Sequence, residues 1–119
     1  MAAADPGGGM STLSTHVLDT ARGRPAAGIV LRLFAGDQLA FDGITDAGGR
    51  CPALAALALP PGRYRLEFEV AGYWRAAGVP LAEPPFLDLI PIAFGIAEPG
   101  HYHVPLLLSP YGYSTYRGS

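Results

Sequence analysis

Apolar residues alternate with polar ones in short runs along most of this chain, and Gly or Pro closes nearly every run. Over residues 63–70 the even positions are Tyr64, Leu66, Phe68 and Val70, and the odd ones are Arg63, Arg65, Glu67 and Glu69. A period of two sends the first set to a core and the second to water, which predicts a half-buried strand. Residues 28–34 repeat the pattern with Ile29, Leu31 and Leu33 on one side, and residues 39–44 form a third strand ending at the turn Asp46-Ala47-Gly48-Gly49. Residues 11–18 predict the opening strand, Arg50-Cys51 a short one, and residues 86–96 a long strand apolar on both faces. Residues 101–108 and 111–117 flank Ser109-Pro110 and predict a hairpin. One short helix is expected at residues 73–77, between Gly72 and Gly78, and the Ala/Leu-rich residues 53–59 predict at most a helical turn. Seven or eight short strands with Gly/Pro turns and no internal repeat predict an all-β sandwich.

Composition narrows the chemistry. The chain has 119 residues, enough for one domain. Half its residues are hydrophobic and 15% are charged, so it has the material for a core and is not a disordered chain. A formal charge of -2 offers no basic field for nucleic acid or anionic lipid. All eight cations are Arg, which excludes a Schiff-base lysine and a P-loop. The single Cys51 excludes an internal disulfide and a multi-cysteine metal site. Residues 1–9 are expected to be a flexible leader before a domain at 10–119, with Met10 an alternative start. The opening MAAADPGGGM has no apolar core of a secretory signal, and no apolar run is long enough to cross a membrane, so a cytoplasmic protein is expected.

The only histidines are His16, His101 and His103. Strand periodicity puts His101 and His103 on one face and Val104, Leu106 and Leu108 on the other, the core face. His103, Pro105 and Leu107 then point outward, and an outward apolar face predicts a subunit interface. Imidazoles in such a partly dry place are suited to acid–base work. The His-x-His spacing is also compatible with zinc, although the third ligand would have to be His16 or a carboxylate. The turn 45–50 reads as a tight glycine turn that holds Arg50 stiffly, either for structure alone or to grip an anion or planar carbonyl ring. Trp74, Tyr111 and Tyr113 read as packing groups, Cys51 as a half-buried neighbour of Arg50, and Glu67 and Glu69 as a solvated face.

Three stretches together resemble one family. The run His101-Tyr102-His103-Val104-Pro105-Leu106-Leu107-Leu108-Ser109-Pro110, continuing through Tyr116-Arg117-Gly118-Ser119, is similar to the C-terminal signature of the transthyretin-related 5-hydroxyisourate hydrolases. Ser14-Thr15-His16-Val17-Leu18-Asp19 resembles their N-terminal motif and Thr45-Asp46-Ala47-Gly48-Gly49-Arg50 their central one. The resemblance implies a prealbumin-like β-sandwich of two four-stranded sheets with one short helix. It also implies a homotetramer, a dimer of dimers, whose sites lie in a channel between dimers. The activity implied is opening of the lactam ring of 5-hydroxyisourate by water, without metal or other cofactor, in urate degradation.

Carried over position by position, the resemblance gives His16, Arg50, His103 and Tyr116 as catalytic residues. Pro105, Leu107, Ser114, Arg117, Gly118 and Ser119 join Arg50 and Tyr116 around the substrate. His103 and His16 would position and deprotonate the water, Arg50 would hold the substrate oxygens, and Tyr116 and Ser119 would close the pocket. His101 is expected to be a supporting or surface residue. The alternatives are a transthyretin-like small-molecule carrier without catalysis, a periplasmic relative, which would need a signal peptide, and a zinc hydrolase using all three histidines.

Overall fold

The computed structural model describes residues 9–118. The leader expected at residues 1–9 therefore lies outside the described residues, apart from Gly9, and so does Ser119. In chain order the strands are β1 (Thr12–Ser14), β2 (Val17–Asp19), β3 (Arg24–Pro25), β4 (Val30–Ala35) and β5 (Gln38–Ile44). A 3-10 turn (Pro52–Ala56), β6 (Gly62–Glu69), helix α1 (Ala71–Ala76) and β7 (Leu89–Ile96) follow. The chain closes with β8 (His101–His103), β9 (Leu106–Ser109) and β10 (Gly112–Thr115).

Alternation in β6 does what its pattern requires: Leu66 and Phe68 are fully buried, and the intervening Arg65 and Glu67 pair at 2.8 Å on the outer face. Burying one such apolar side chain stabilises the fold by about 1.5–3 kcal/mol. β6 pairs antiparallel with β4 and β7, giving a sheet of order β5-β4-β6-β7. The second sheet has the order β10-β9-β2-β3, with β2 and β9 parallel and the β9–β10 hairpin antiparallel. The two sheets enclose Leu31, Leu33, Leu66 and Phe68 against Val17, Leu106 and Leu108, the two-sheet sandwich expected. Trp74 on α1 is fully buried in this core.

The expected long strands are cut where the site forms. The opening strand breaks at Thr15-His16: β1 pairs parallel with β8 as a separate two-stranded ribbon, whereas β2 belongs to the second sheet. Residues 101–108 break in the same way at Val104-Pro105, since Pro has no N–H to give a ladder. Pro105 is a correction: it is buried rather than outward, and its carbonyl accepts the Thr115 hydroxyl at 2.7 Å. The strand expected at Arg50-Cys51 is only a bridge, His16↔Arg50. β7 starts at Leu89 rather than at residue 86, and β3 carries no alternation from which it could be foreseen. Cys51 is buried, not half-buried. Tyr111 and Tyr113 stay exposed and pack in no core, although the Tyr111 ring sits 6.1 Å from that of Phe86.

Candidate active site

Of the three stretches singled out in the sequence, the first carries His16, the central one is bridged to His16 through Arg50, and the last returns to His103 through Gly118. The backbone at the β1–β2 break bonds to the break between β8 and β9: Val104 N–H donates to Ser14 O at 2.9 Å and Leu106 N–H to His16 O at 3.0 Å. The buried Thr15 hydroxyl closes the same gap by donating to Val104 O at 2.7 Å. His16 is thereby fixed beside the strand that follows His103.

Arg50 is brought to His16 by its turn. The Asp46 carboxylate accepts the Gly48 N–H at 2.9 Å and the Arg50 N–H at 3.0 Å, an Asx turn that ties the loop to its own start. Gly49 has φ +76°, and a Cβ there would stand 2.4 Å from Val17 O, so only glycine admits the approach. Its carbonyl accepts the Val17 N–H at 2.8 Å, which seats the His16↔Arg50 bridge.

The C-terminal stretch reaches His103 by the same device. Gly118 N–H donates to His103 O at 2.7 Å, and a Cβ on Gly118 would meet His103 Cδ2 at 2.6 Å. The absent side chain is what lets the chain lie on the imidazole.

His103 is half-buried, and His16 is too, while Arg50 is exposed. Burial holds the His103 pKa below its ordinary value, and the nearby Arg50, His101 and His16 push it the same way. His103 is therefore a neutral imidazole at neutral pH, able to accept a proton. Its Nδ1 lies 2.7 Å from the Ser14 hydroxyl, which also lies 2.9 Å from His101 Nε2. Ser14 and Thr12 are the polar partners that sequence reasoning missed. Their spacing of two matches that of His101 and His103, and the signal becomes readable once β1 and β8 are known to pair in register.

The remaining expected residues divide into two groups. Leu107 pairs across to Ser114 on one side and Leu18 on the other, so these three share one outward face with His16 by alternation. Tyr116 and Arg117 instead wall a cavity of about 490 Å³ with Ile92, Phe94, Tyr102 and Val104, a space whose lining includes none of His16, Arg50 and His103. The Arg117 guanidinium lies over the Tyr102 ring at 4.0 Å, and its Nη2 donates to His101 O at 3.4 Å, which occupies it within the protomer. Ser119 lies outside the described residues. Among the described residues no three His, Cys, Asp or Glu side chains gather as a metal-binding group.

Comparison with known proteins gives the family and the fold. The profile of the HIUase/Transthyretin family matches residues 13–118. The 5-hydroxyisourate hydrolase of Mesorhizobium japonicum is 54% identical over 90% of this chain and 91% of its own length. The solved structure of Klebsiella pneumoniae 5-hydroxyisourate hydrolase superposes with a TM-score of 0.82 at 40% identity, covering 92% of this chain and all of that one. Sea bream transthyretin, solved with thyroxine, superposes with a TM-score of 0.76 at 28% identity over 90% of this chain and 94% of its own. With both sheets of the sandwich, His16, Arg50, His101 and His103 inside the match, this chain belongs to the HIUase/Transthyretin family.

Proposed function

We propose that this protein is a hydrolase that opens the lactam ring of 5-hydroxyisourate with water, giving 2-oxo-4-hydroxy-4-carboxy-5-ureidoimidazoline in urate degradation. The observation that carries the reading is a neutral, half-buried His103 beside Arg50, in a chain 54% identical to a named 5-hydroxyisourate hydrolase. A carrier has no use for a depressed imidazole next to a guanidinium, and the carrier reading is not favoured.

In this reading His103 accepts the proton of the attacking water, and His16, fixed at the strand break, orients that water. Arg50 receives the charge that develops on the carbonyl oxygen; such a donor is worth about 100-fold or more in rate. Leu107 and Ser114 offer a partly apolar wall for a flat ring. Tyr116, Arg117, Gly118 and Ser119 complete the substrate surface in the assembled protein. Pro105 supports that surface from beneath, because it is buried. The chemistry uses no metal or other cofactor: a neutral imidazole and a guanidinium supply both the base and the charge.

The assembly proposed is a homotetramer, a dimer of dimers. Both β7 and β10 are sheet edges, and Phe86 and Tyr111 stand 72% exposed, which favours further pairing over an isolated protomer. A cytoplasmic location accords with the free, buried Cys51. Among the described residues no helix is long and apolar enough to cross a membrane.

The test is the lifetime of freshly generated 5-hydroxyisourate, followed by absorbance. The protein is expected to shorten it. His103→Ala and Arg50→Ala are each expected to lower kcat about 100-fold or more while keeping the thermal unfolding transition. A wild-type protein that leaves the decay at its uncatalysed rate refutes the activity, and a fully active, folded His103→Ala refutes the assignment of the base. Deleting residues 117–119 is expected to abolish turnover. Light scattering after size exclusion should give four times the 12.4 kDa chain mass.

A further inference from the structure

An unbroken run of hydroxyls and imidazoles leads from His103 to the surface. In the parallel register of β1 on β8, Thr12 lies opposite His101 and Ser14 opposite His103. Thr12 Oγ1 is 2.7 Å from His101 Nδ1, Ser14 Oγ is 2.9 Å from His101 Nε2, and Ser14 Oγ is 2.7 Å from His103 Nδ1. All three are hydrogen-bond distances. Ser14 and His103 are half-buried, whereas His101 and Thr12 are exposed, so the run begins at the candidate base and ends in solvent. Among these contacts only His103 Nε2 takes no part.

Counting protons leaves two neutral arrangements in which the Ser14 hydroxyl donates to one imidazole while accepting from the other. A neutral imidazole carries one N–H and one lone pair, and a hydroxyl donates once while accepting through its oxygen. In the first, His103 Nδ1–H donates to Ser14 Oγ, the Ser14 O–H donates to His101 Nε2, and His101 Nδ1–H donates to Thr12 Oγ1. His103 Nε2 is then a free base. In the second, every bond is reversed: the Thr12 O–H donates to His101 Nδ1, His101 Nε2–H to Ser14 Oγ, and the Ser14 O–H to His103 Nδ1. His103 Nε2–H is then an acid. One shift along three bonds converts one into the other.

We propose that Ser14, His101 and Thr12 form a proton relay that switches His103 from base to acid during turnover. The inference rests on the hydrolytic reading above and deepens it. As water attacks the lactam carbonyl, the new O–C bond forms and His103 Nε2 takes one proton from the water. His103 Nδ1–H passes to Ser14, the Ser14 proton to His101 Nε2, the His101 Nδ1 proton to Thr12, and the Thr12 proton to a solvent water. Each relay group gains one proton and loses one. When the C–N bond breaks, His103 Nε2–H protonates the leaving ureido nitrogen, and a proton drawn from solvent through Thr12 restores the first arrangement. The remaining proton of the attacking water leaves when the product carboxylic acid ionises.

The relay answers a difficulty of placement. A His103 that held both protons would be a half-buried imidazolium, disfavoured first by its burial and then by Arg50, His101 and His16. Passing a proton on as another arrives keeps the ring neutral throughout. Ser14, His101 and Thr12 touch no substrate in this scheme; they act through His103 and are positioning residues.

The experiment is a single-turnover rate of 5-hydroxyisourate opening in mixtures of light and heavy water, with the full-length protein. A relay moves several protons together, so the wild-type rate plotted against deuterium fraction should be bowed. Ser14→Ala and His101→Gln should each lower the rate about tenfold or more and straighten the plot, because a single proton then moves. His101 is exposed, so its variant keeps the fold even where Ser14→Ala does not. Ser14→Thr restores a hydroxyl and should recover both the curvature and most of the rate. A straight wild-type plot, or slowed variants that keep the wild-type curvature, or variants with unchanged rate, overturns the relay and leaves the hydrolytic activity standing. A wild-type protein with no turnover overturns the activity and the relay with it.

Discussion

Gly118→Ala is the perturbation whose consequence is most closely set by the coordinates. The added Cβ would lie 2.6 Å from His103 Cδ2, 3.2 Å from Cγ and 3.3 Å from Cβ. Non-bonded carbons rest about 3.5–4.0 Å apart, so roughly 1 Å of movement is needed. Two movements are open. The ring can yield, which stretches its 2.7 Å contact with Ser14. Or the chain end can lift, which breaks the 2.7 Å bond from Gly118 N–H to His103 O. Either loses a hydrogen bond worth about 1 kcal/mol, and overpacking at one such site costs about 1–3 kcal/mol. The core is untouched, so the variant should fold. Rate is more sensitive than stability, since a misplacement of about 1 Å can cost about 100-fold. The assay is kcat on 5-hydroxyisourate beside thermal unfolding. Gly112→Ala serves as control, because its Cβ would sit an ordinary 3.6 Å from Ser109 Oγ. Gly118→Ala should lose about 100-fold in kcat with a cooperative transition retained, and Gly112→Ala should stay near wild type. A folded Gly118→Ala with full kcat would refute the close-approach argument.

Tyr73→Phe should lower stability by about 1.5–3 kcal/mol in urea unfolding, because a bond to a charged group is lost: the Tyr73 hydroxyl donates to the buried Asp19 carboxylate at 2.5 Å and accepts from Arg22 Nη2 at 2.8 Å. An unchanged midpoint would show that this bond contributes nothing. Burial pushes the Asp19 carboxyl up, but the hydrogen bonds from Tyr73 and Arg22 outweigh it and hold the pKa below the ordinary value. Asp19 therefore adds stability above the ordinary carboxylate range that is lost as pH falls through its folded value, and Asp19→Asn should flatten that acid limb. The depressed His103 pKa has a matching sign: the folded state binds fewer protons, so stability falls as pH drops below about 6.5, and NMR titration should place the His103 midpoint under that value. Burial remains in Arg50→Gln but the guanidinium does not, so the midpoint should rise; no movement would remove Arg50 as a cause. Gly49→Ala, at φ +76° and 2.4 Å from Val17 O, should lower both stability and activity, and a wild-type unfolding midpoint would contradict the account of the turn.

The strands with strong alternation were legible from residue order alone. In β6 and just past its end, Tyr64, Leu66, Phe68 and Val70 are all buried, and the inward set of Ile29, Leu31 and Leu33 also holds. Trp74 could be placed in the core because a short helix has one apolar face. The segments that build the site were read less well. Residues 11–18 and 101–108 each look like one strand, yet both break, and the breaks face each other. Alternation measures which side a residue faces; it does not count how many sheets the strand visits. Pro105 was misplaced for that reason.

Residue order by itself determined the sandwich, the core faces and the short list of groups with chemistry: three imidazoles, eight guanidiniums and no lysine. These follow from periodicity and composition, which are local properties of the chain. Tertiary structure alone decided that Ser14 stands between His101 and His103, that Gly118 lies on the His103 ring, and that Tyr116 and Arg117 wall a separate cavity. Those contacts join residues some 15 to 90 positions apart. They depend on strand register and on distances of a few tenths of an ångström, and no local pattern encodes either.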